Sequence, residues 1–584
     1  MNDPSIPEPL RPSEPQRLAL WRLYGPLALV LALVAGLLVA VVATSPEAAA
    51  PPSTTGGPDR GPESIDEVQQ LPPGVQTFAR ARQQGLADEI DWGPRCDATT
   101  GKVKLPQWPL PDCFAPFEGD NGGATTRGVD ATTIKVVIYL AQANDPVLRF
   151  IYDQIGNTDT PDDTFATYEG FVEIFNTYYE LYGRRIELVR YDATGPVNDA
   201  TAAVADAEAI ARDLQPFAVI GGPSLTNAFA DTLSRQGVIC VACTPGQPAE
   251  WYSERAPYVW DVQRNADQSL LTVAEYVGKR LAGRPARNAG DPALRTEERV
   301  FGLIRVQSSD ASQVLEDRFT ARLRDDYDVE LAAIQTYGLP TELAGSGKDI
   351  ITAMKEAGVT TVIFSGDPLG PQSLTRIATE QGFFPEWVLG AVTLVDTAIF
   401  SRTYDQQQWA HAFGPSGLFV RTPSTLAGAG FVYRWYFGEE APAATNVPLI
   451  AGPLQVIYGS LQGVGPNVTP DMFQRVLFGS PIYPSTPISP QISFGNRGVY
   501  PDPDFGALDD ATEVWWDPDA EGESETGRAG TGLWRFVDGG KRYLPGEWPA
   551  TEPDVFDPDT AILGYDEIPP EIDLPVFEPL RPGS

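Results

Sequence analysis

Residues 217–233, FAVIGGPSLTNAFADTL, join a short apolar segment to a helix-forming one through the turn at 221–224. The apolar part is typical of a strand that is covered on both faces, and the part after the turn predicts a helix over about 225–235. Ser224 is a candidate cap for that helix. No acidic residue follows the turn until Asp231, so we expect the helix N-terminus to attract an anionic or strongly accepting ligand group.

The same alternation of strand and helix runs through most of the chain. Apolar runs predict strands at 134–140, 186–191, 216–221, 238–242, 258–262, 300–306, 329–337 and 360–365. Helical periodicity predicts helices at 164–183, 198–214, 225–235, 265–282, 312–325 and 350–357. Repeated βα units indicate an α/β fold with parallel sheets flanked by helices. A linker rich in Arg, Gly and Pro near 280–295 favours two such sheets, in two Rossmann-like lobes, over one.

Composition excludes several classes of function. The 584 residues include 78 acids and 42 bases, a formal net charge of −36, which repels polyanions and argues against a nucleic-acid partner. His411 is the only histidine, so the chain has almost no histidine with which to build an imidazole metal site or a histidine-based catalytic triad. His411 lies in a loop with Gln and Phe, where we predict a surface role. We therefore predict a protein that is not an enzyme and has no cofactor.

The N-terminal region predicts an exported protein. Residues 23–43 carry no charge, and 27–43 are apolar throughout, which is long enough to cross a bilayer. Basic residues precede this segment, so the positive-inside rule predicts a cytoplasmic tail at 1–22 and the bulk of the chain outside the cell membrane. A cleaved signal peptide is the alternative, since residues 47–50, EAAA, offer a cleavage site, and the protein would then be secreted.

The four cysteines fit an exported chain. Cys96 and Cys113 lie in a Pro-rich tether and cap, 44–130, and we predict a disulfide between them. Cys240 and Cys243 are three apart on a predicted strand, where side chains point to opposite faces. Buried free thiols and a bridge across a curled chain both remain open for this second pair.

Two further strand ends resemble the turn at 221–224. Thr244 is followed by Pro245 and Gln247, a capping-box pattern, and "VIFSGDP" places Ser365 and Asp367 after a strand. Each turn alone is explained by helix capping. Three turns at equivalent positions favour two half-sites that face each other around a small molecule, because ligands of open α/β sheets bind at the carboxyl ends of strands. The glycine spacing matches neither nucleotide-binding motif.

Three segments carry a family resemblance over about 131–475. They are 178–195 (YYELYGRRIELVRYDATG), 211–245 (ARDLQPFAVIGGPSLTNAFADTLSRQGVICVACTP) and 347–368 (GKDIITAMKEAGVTTVIFSGDP). In their order and spacing they resemble type I periplasmic binding proteins, specifically the branched-chain-amino-acid-type substrate-binding proteins of ABC transporters. Residues 463–479 and 515–543 are similar to segments of large, surface-attached actinobacterial members.

The resemblance implies two lobes, joined by three crossovers, that close on a small amino-acid-like or amide-like ligand and deliver it to an ABC permease. Lobe 1 would be 131–262 and lobe 2 would be 263–400, with a crossover and remaining lobe elements at 401–480. The ligand-binding roles implied for this chain fall on Ser224, Thr226, Asn227, Cys243, Thr244, Ser309, Asp310, Ser365 and Asp367.

This sequence departs from the family pattern in lobe 2. The usual Tyr-Gly pair is absent from "RVQSSDASQ", which leaves Ser309 and Asp310, and Asp367 is the candidate for the acid that binds a ligand amine. An ordinary aliphatic amino acid is therefore not the expected ligand. A non-transport sensor or structural protein that reuses the fold is the alternative function.

The C-terminal region, 481–584, is predicted to be an irregular extension whose aromatic side chains pack on a lobe. Residues 517–523, DPDAEGE, resemble the opening of a calcium loop, but its twelfth position is Arg528 rather than Glu. We therefore predict a solvated acidic turn there, with no metal.

Overall fold

The computed structural model describes residues 72–581, apart from Pro245, Ser308, Ser309, Leu339, Val392, Thr393, Glu571 and Asp573. The predicted tail at 1–22 and the apolar segment at 23–43 lie outside the described residues. Within 72–581, no helix combines the length and the apolar character that a bilayer crossing requires.

A small cap precedes the first lobe. It contains α1 (Phe78–Gln84) and the antiparallel pair β1 (Cys96–Asp97) and β2 (Lys102–Val103). The predicted disulfide between Cys96 and Cys113 is confirmed, with the two Cα atoms 5.7 Å apart. The buried Arg184 guanidinium then fastens the cap to the lobe by donating to four backbone carbonyls, those of Asn121, Gly123, Asp130 and Pro466.

Lobe 1 is a five-stranded parallel sheet in the order β4-β3-β5-β6-β7. Its strands are β3 (Thr133–Leu140), β4 (Arg185–Asp192), β5 (Ala218–Ile220), β6 (Ile239–Val241) and β7 (Val259–Trp260). Its helices in this part of the chain are α2 (Pro146–Ile155), α3 (Pro161–Tyr178), α4 (Ala200–Ala209), α5 (Ala228–Arg235) and α6 (Ala249–Glu254). The short central strands are fully buried, as their apolar runs predict.

Lobe 2 repeats the scheme in parallel, in the order β9-β8-β10-β11-β12. Its strands are β8 (Phe301–Val306), β9 (Leu331–Tyr337), β10 (Thr361–Ser365), β11 (Glu386–Leu389) and β12 (Ala412–Ser416). Its helices are α7 (Ala266–Tyr276), α8 (Asp310–Tyr327), α9 (Leu343–Glu356), α10 (Gly370–Glu380), α11 (Ala398–Ser401) and α12 (Gln406–Trp409).

The linker near 280–295 does not separate the two sheets. It lies inside lobe 2, between α7 and β8, and is held there because the Asn288 amide donates to Glu386, which also binds the fully buried Arg299. The chain passes between the lobes earlier, at 262–265.

The chain then returns to lobe 1. The helices α13 (Ala429–Phe437), α14 (Val447–Val464) and α15 (Pro470–Gly479) complete its hydrophobic core. The aromatic face predicted for α3 packs there, with the rings of Phe175 and Tyr458 5.2 Å apart. Helix α3 ends at Tyr178, so Tyr182 is buried in the following turn rather than in the helix.

The C-terminal region is not an irregular extension. Strands β13 (Ala511–Glu523) and β14 (Ala529–Val537) form a long antiparallel hairpin beside β12, with β15 (Arg542–Tyr543) and β16 (Ala561–Ile562) at its edges. Trp516 and Trp534 meet across the hairpin with ring centroids 5.4 Å apart. The predicted acidic turn at 517–523 is also wrong, because these residues belong to β13 and Asp517 pairs with Arg535 at 2.6 Å.

Among the described residues, four segments connect the lobes, where the resemblance implied three. They are 262–265 (the first crossover), 421–428, 480–510 and a C-terminal tail after β16. Ile572 of the tail packs in the lobe 2 core, whereas the Leu580 amide donates to the Tyr178 hydroxyl of lobe 1 at 2.7 Å. The Trp435 indole also donates to the Phe577 carbonyl at 2.6 Å. The tail is therefore a strap across both lobes.

Candidate functional site

The turn between β5 and α5 differs from the prediction. Helix α5 begins at Ala228, its N-cap Asn227 makes no side-chain cap bond, and Ser224 is exposed. Asp231 lies in the first helical turn and pairs with Arg255 at 2.5 Å. The first turn of the helix thus contains an acid. The prediction that this N-terminus attracts an anionic ligand assumed that the turn had none. The Thr226 hydroxyl accepts a bond from the Ala228 amide.

The second turn is closed by a disulfide. Cys240 and Cys243 are bridged because β6 ends at Val241 and Ala242 takes a left-handed conformation, φ 55°, which turns the chain back. The Cys243 side chain is 1% exposed. This settles the alternative that the sequence left open, and it removes the Cys243 thiol as a ligand-binding group.

Thr244 does not begin a capping box either. Helix α6 starts at Ala249 with Pro248 at the cap, and Pro245 lies outside the described residues. Thr244 is buried, and its carbonyl accepts a bond from the Tyr252 hydroxyl at 3.4 Å. The turns after β5 and β6 do lie together, since a Cβ on Gly222 would sit 2.7 Å from the Cys243 carbonyl.

In lobe 2, Ser365 and Asp367 bind groups of the protein itself. The Ser365 hydroxyl accepts the Ala391 amide at 3.0 Å. One Asp367 oxygen accepts the first amides of α10, and the other accepts the Tyr337 hydroxyl at 2.6 Å. Asp367 is thus a cap that is already hydrogen-bonded, and its ligand role stays a prediction.

The remaining lobe 2 candidates are not placed by side chain. Ser309 lies outside the described residues, and of Asp310 only the position at the start of α8 is described. Among the described residues, no hydrogen bond or ion pair joins the lobe 1 candidates to Ser365 or Asp367. The structure therefore brings the two turns of lobe 1 together, and its described residues show no bond between these turns and Ser365 or Asp367.

A small cavity of about 30 Å³ lies elsewhere, at the carboxyl ends of β11 and β12 and beside the first crossover. None of the predicted residues whose side chains the structure describes lines it, although Ser365 binds one of its walls at Ala391. We call it the Arg264 cavity, and its walls are Arg264, Ser269, Thr272, Val273, Gly390, Ala391, Asp396, Pro415 and Gly417.

Groups of opposite charge line this cavity. Asp396 is 8% exposed, and one of its oxygens accepts the Ser416 hydroxyl at 2.6 Å. Burial raises the pKa of the Asp396 carboxyl, and the hydrogen bond from Ser416 opposes that rise. The Arg264 guanidinium donates only a long bond, 3.4 Å, to the Thr272 hydroxyl. A pocket with these groups can orient a small polar solute.

Three buried carboxyls belong to the crossover at 480–510 and the β13 edge. Asp510 pairs with Arg542 at 2.9 Å. Burial is the main cause that raises the pKa of Asp504 and of Asp509; the Asp509 charge adds to the rise at Asp504, and the Asp510 charge adds to the rise at Asp509. The described residues contain no group of three or more acid, His or Cys side chains arranged to hold a metal ion.

His411 is half-buried rather than on the surface. Its ring packs against Gly290 of the lobe 2 linker, and desolvation lowers the pKa of the imidazole. The surface role predicted for this residue is therefore wrong.

Sequence reasoning missed both charged residues of the Arg264 cavity. Arg264 lies at the crossover immediately before the capping box of Asn265 and Gln268, and Asp396 lies just before α11. Neither belongs to a recognisable motif. The only feature of the sequence that could have identified them as site residues is their position near a predicted strand end or crossover.

No protein-family model matches the chain, and no curated protein matches it either. Solved structures do match, among them substrate-binding proteins of transporters and a type 1 periplasmic binding protein. One is the branched-chain amino acid transporter substrate-binding protein LivJ of Streptococcus pneumoniae in complex with isoleucine. It is 14% identical, with a TM-score of 0.44 over 69% of this chain and 100% of that chain.

Two other solved structures are also similar to this chain. A fatty acid ABC transporter substrate-binding protein of Thermomonospora curvata is 14% identical, with a TM-score of 0.45 over 69% of this chain and 92% of that one. A type 1 periplasmic binding protein of Bordetella pertussis is 14% identical, with a TM-score of 0.46 over 68% and 100%.

Proposed function

We propose that this chain is an extracytoplasmic solute-binding protein. It captures a small polar molecule between its two lobes and delivers it to an ABC permease without any chemistry on the solute. The observation that carries the proposal is the Arg264 cavity, a polar recess at the strand ends of lobe 2 beside a crossover between the lobes. Strand ends of open parallel sheets are where small ligands bind.

A thermal-shift screen of the full-length protein in mild detergent tests the proposal. The compounds are amino acids, amides, ureas, short acids and sugars, with isoleucine and a fatty acid added because similar structures are named for them. A bound solute stabilises the folded state by mass action and raises the Tm. If no class of solute raises the Tm, the proposal is wrong.

Two glycine variants locate the binding. A side chain at Gly417 would approach the Arg264 guanidinium at 3.2 Å from its Cβ, so Gly417→Val fills the cavity and should abolish the shift. Gly459 on α14 has no atom within 4 Å of such a Cβ, so Gly459→Val is the matched control and should keep it. Equal shifts in both variants would place the solute elsewhere.

We also propose that residues 23–43 are retained as a membrane anchor, with the bulk of the chain outside. The length of the apolar segment and the basic residues before it support this placement. Alkaline extraction of membranes and N-terminal sequencing of the mature protein distinguish an anchor from a cleaved signal. Release of a chain that begins near residue 50 would contradict the anchor.

A second candidate is a surface sensor or structural protein that does not open. The C-terminal tail favours it, because bonds from Trp435 and Tyr178 in lobe 1 hold a segment that also packs in the lobe 2 core. Small-angle scattering with and without a solute that raises the Tm separates the two functions. A radius of gyration that stays constant would favour the second.

A further inference from the structure

Arg264 differs from the other buried arginines of lobe 2. Arg280 binds Glu513 at 2.6 Å, Arg299 binds Glu386 at 2.7 Å and Arg542 binds Asp510 at 2.9 Å. No ion pair between described residues includes Arg264, although its guanidinium lines a cavity. A partly buried guanidinium without a direct ion pair is costly, and an anion in contact with it would relieve this cost.

The acid of the same cavity does not pair directly with Arg264. Asp396 lines the same cavity but accepts its hydrogen bond from Ser416 and forms no ion pair with Arg264. Burial raises the pKa of the Asp396 carboxyl, and the Arg264 charge opposes part of that rise. The cavity therefore keeps one full cation and a buried carboxyl group at a separate position.

The hydroxyls of the cavity are acceptors toward its interior. Ser269 donates its proton to the Asn265 carbonyl, and Thr272 donates to the Gln268 carbonyl, both at 3.0 Å along α7. Their remaining lone pairs, with Asp396, suit a hydrogen-bond donor on the solute. Gly417 leaves room for it, since a Cβ there would lie 3.2 Å from the Arg264 guanidinium.

We propose that Arg264 binds the anionic group of the solute, and that the solute is a small carboxylate with a hydroxyl or amine next to the carboxylate. The carboxylate pairs with the planar guanidinium, and the neighbouring donor meets Asp396, Ser269 or Thr272. The inference rests on the proposed solute-binding function. It assigns the anion site to lobe 2, whereas the family resemblance implied lobe 1.

Three probes of matched size test the assignment by calorimetry on the full-length protein. They are glycolate, which has both groups, acetate, which lacks the hydroxyl, and glycolamide, which lacks the charge. We expect glycolate to bind at least about tenfold more tightly than acetate, and glycolamide not to bind, since charge-assisted pairs are the stronger ones. Equal binding of glycolamide and glycolate, or binding of none of the three, overturns the inference.

Variants then tie the binding to one side chain. Arg264→Gln should lose glycolate binding. Arg264→Lys keeps the charge but loses the planar guanidinium that can donate two parallel hydrogen bonds, and it should weaken glycolate binding by about tenfold. Arg376, an exposed arginine of α10 paired with Glu380, supplies the control, and Arg376→Gln should bind as wild type. Undiminished glycolate binding in Arg264→Gln, with a wild-type circular dichroism spectrum, would sink the proposal.

The outcomes separate this inference from the proposed function. If other solutes of the thermal-shift screen bind while glycolate and acetate do not, solute binding stands and the anion site falls. If only amines bind and Asp396→Asn abolishes their binding, solute binding again stands and the anion site falls. The cavity is then a cation site. If nothing binds in either experiment, both fall.

Discussion

The two lobes share one strand–helix repeat but differ in the groups at their strand ends. In lobe 1 two of the groups beside the strand ends have partners: Asp231 pairs with Arg255, and Cys243 is bridged. In lobe 2 Asp367 is likewise hydrogen-bonded, whereas Arg264 forms no ion pair with any described residue and shares its cavity with the Asp396 carboxyl. Residue types at a strand end therefore do not decide whether a ligand can bind there. The partners already present decide it.

The largest difference between the lobes should be in the free energy of unfolding that is lost when a buried carboxyl loses one of its partners. Glu386 of lobe 2 is fully buried against Arg299, whereas Asp206 of lobe 1 accepts four bonds from neutral donors. Arg299→Met leaves a buried charge unpaired and should lower the free energy of unfolding by about 3–5 kcal/mol. Tyr139→Phe removes one of four donors to Asp206 and should cost about 1 kcal/mol. Urea denaturation measures both.

A double variant checks the cause. Arg299→Met with Glu386→Leu removes both charges together and should recover much of the loss. If the double variant is as unstable as Arg299→Met alone, packing rather than charge explains the effect.

Removal of the disulfides should have the next largest effect on stability. Cys96 and Cys113 are 17 residues apart and Cys240 and Cys243 only 3, so the first bridge restrains the unfolded chain more. Replacing the first pair by serine should cost about 3 kcal/mol and the second about 2 kcal/mol in the loop-entropy model. Denaturation of the two double variants gives the order. The reverse order would show that the turn after β6 depends on its bridge beyond this entropy.

The pH dependence of stability sharpens the comparison of carboxyls at the first crossover. Asp261 ends lobe 1 with bonds from the Tyr252 hydroxyl and two amides, and burial raises its pKa to about 6. The folded state then holds a proton that the unfolded state releases near pH 4. This stabilisation, about 3 kcal/mol, is complete below pH 4 and is lost as the pH rises through 6.

Asp261→Asn cannot titrate and should flatten the stability profile between pH 4 and 7. Thermal unfolding of the wild type and the variant across this range measures the difference. Parallel profiles would mean that Asp261 is ionised throughout.

The smallest effect separates the two arginines at the strand ends. Arg255 pairs with Asp231 and lies 4.2 Å from the Trp251 ring centroid, so Arg255→Gln should lower the free energy of unfolding by about 1 kcal/mol. Arg264 has no such partner, and Arg264→Gln should change it by less than about 0.5 kcal/mol. A larger loss for Arg264→Gln in urea would give that residue a structural role.

Much of the fold could be predicted because its core strands are continuous apolar runs. The strands predicted at 134–140 and 360–365 agree with β3 and β10 to within one residue. The C-terminal hairpin could not be predicted in this way. Its strand β13 contains Pro518 and several acids, which are atypical of strands, and the register shifts there between Asp517 and Glu521.

The candidate site was harder to predict. Helix starts were placed too early after β5 and β6, since capping residues such as Ser224 and Thr244 occur in turns as often as at helix ends. The charges of the Arg264 cavity are far apart in sequence. That Arg264 lacks an ion pair depends on three-dimensional neighbours, and no local pattern carries this information.

The C-terminal strap has a consequence for how fast a solute could enter. Any separation of the lobes must either stretch the chain between Ile572 and Phe577 or break the hydrogen bonds that Trp435 and Tyr178 make with the tail. The entry rate would then be set by detachment of a peptide at the rim, and a single protease cut in that span would speed exchange while leaving the cavity walls intact.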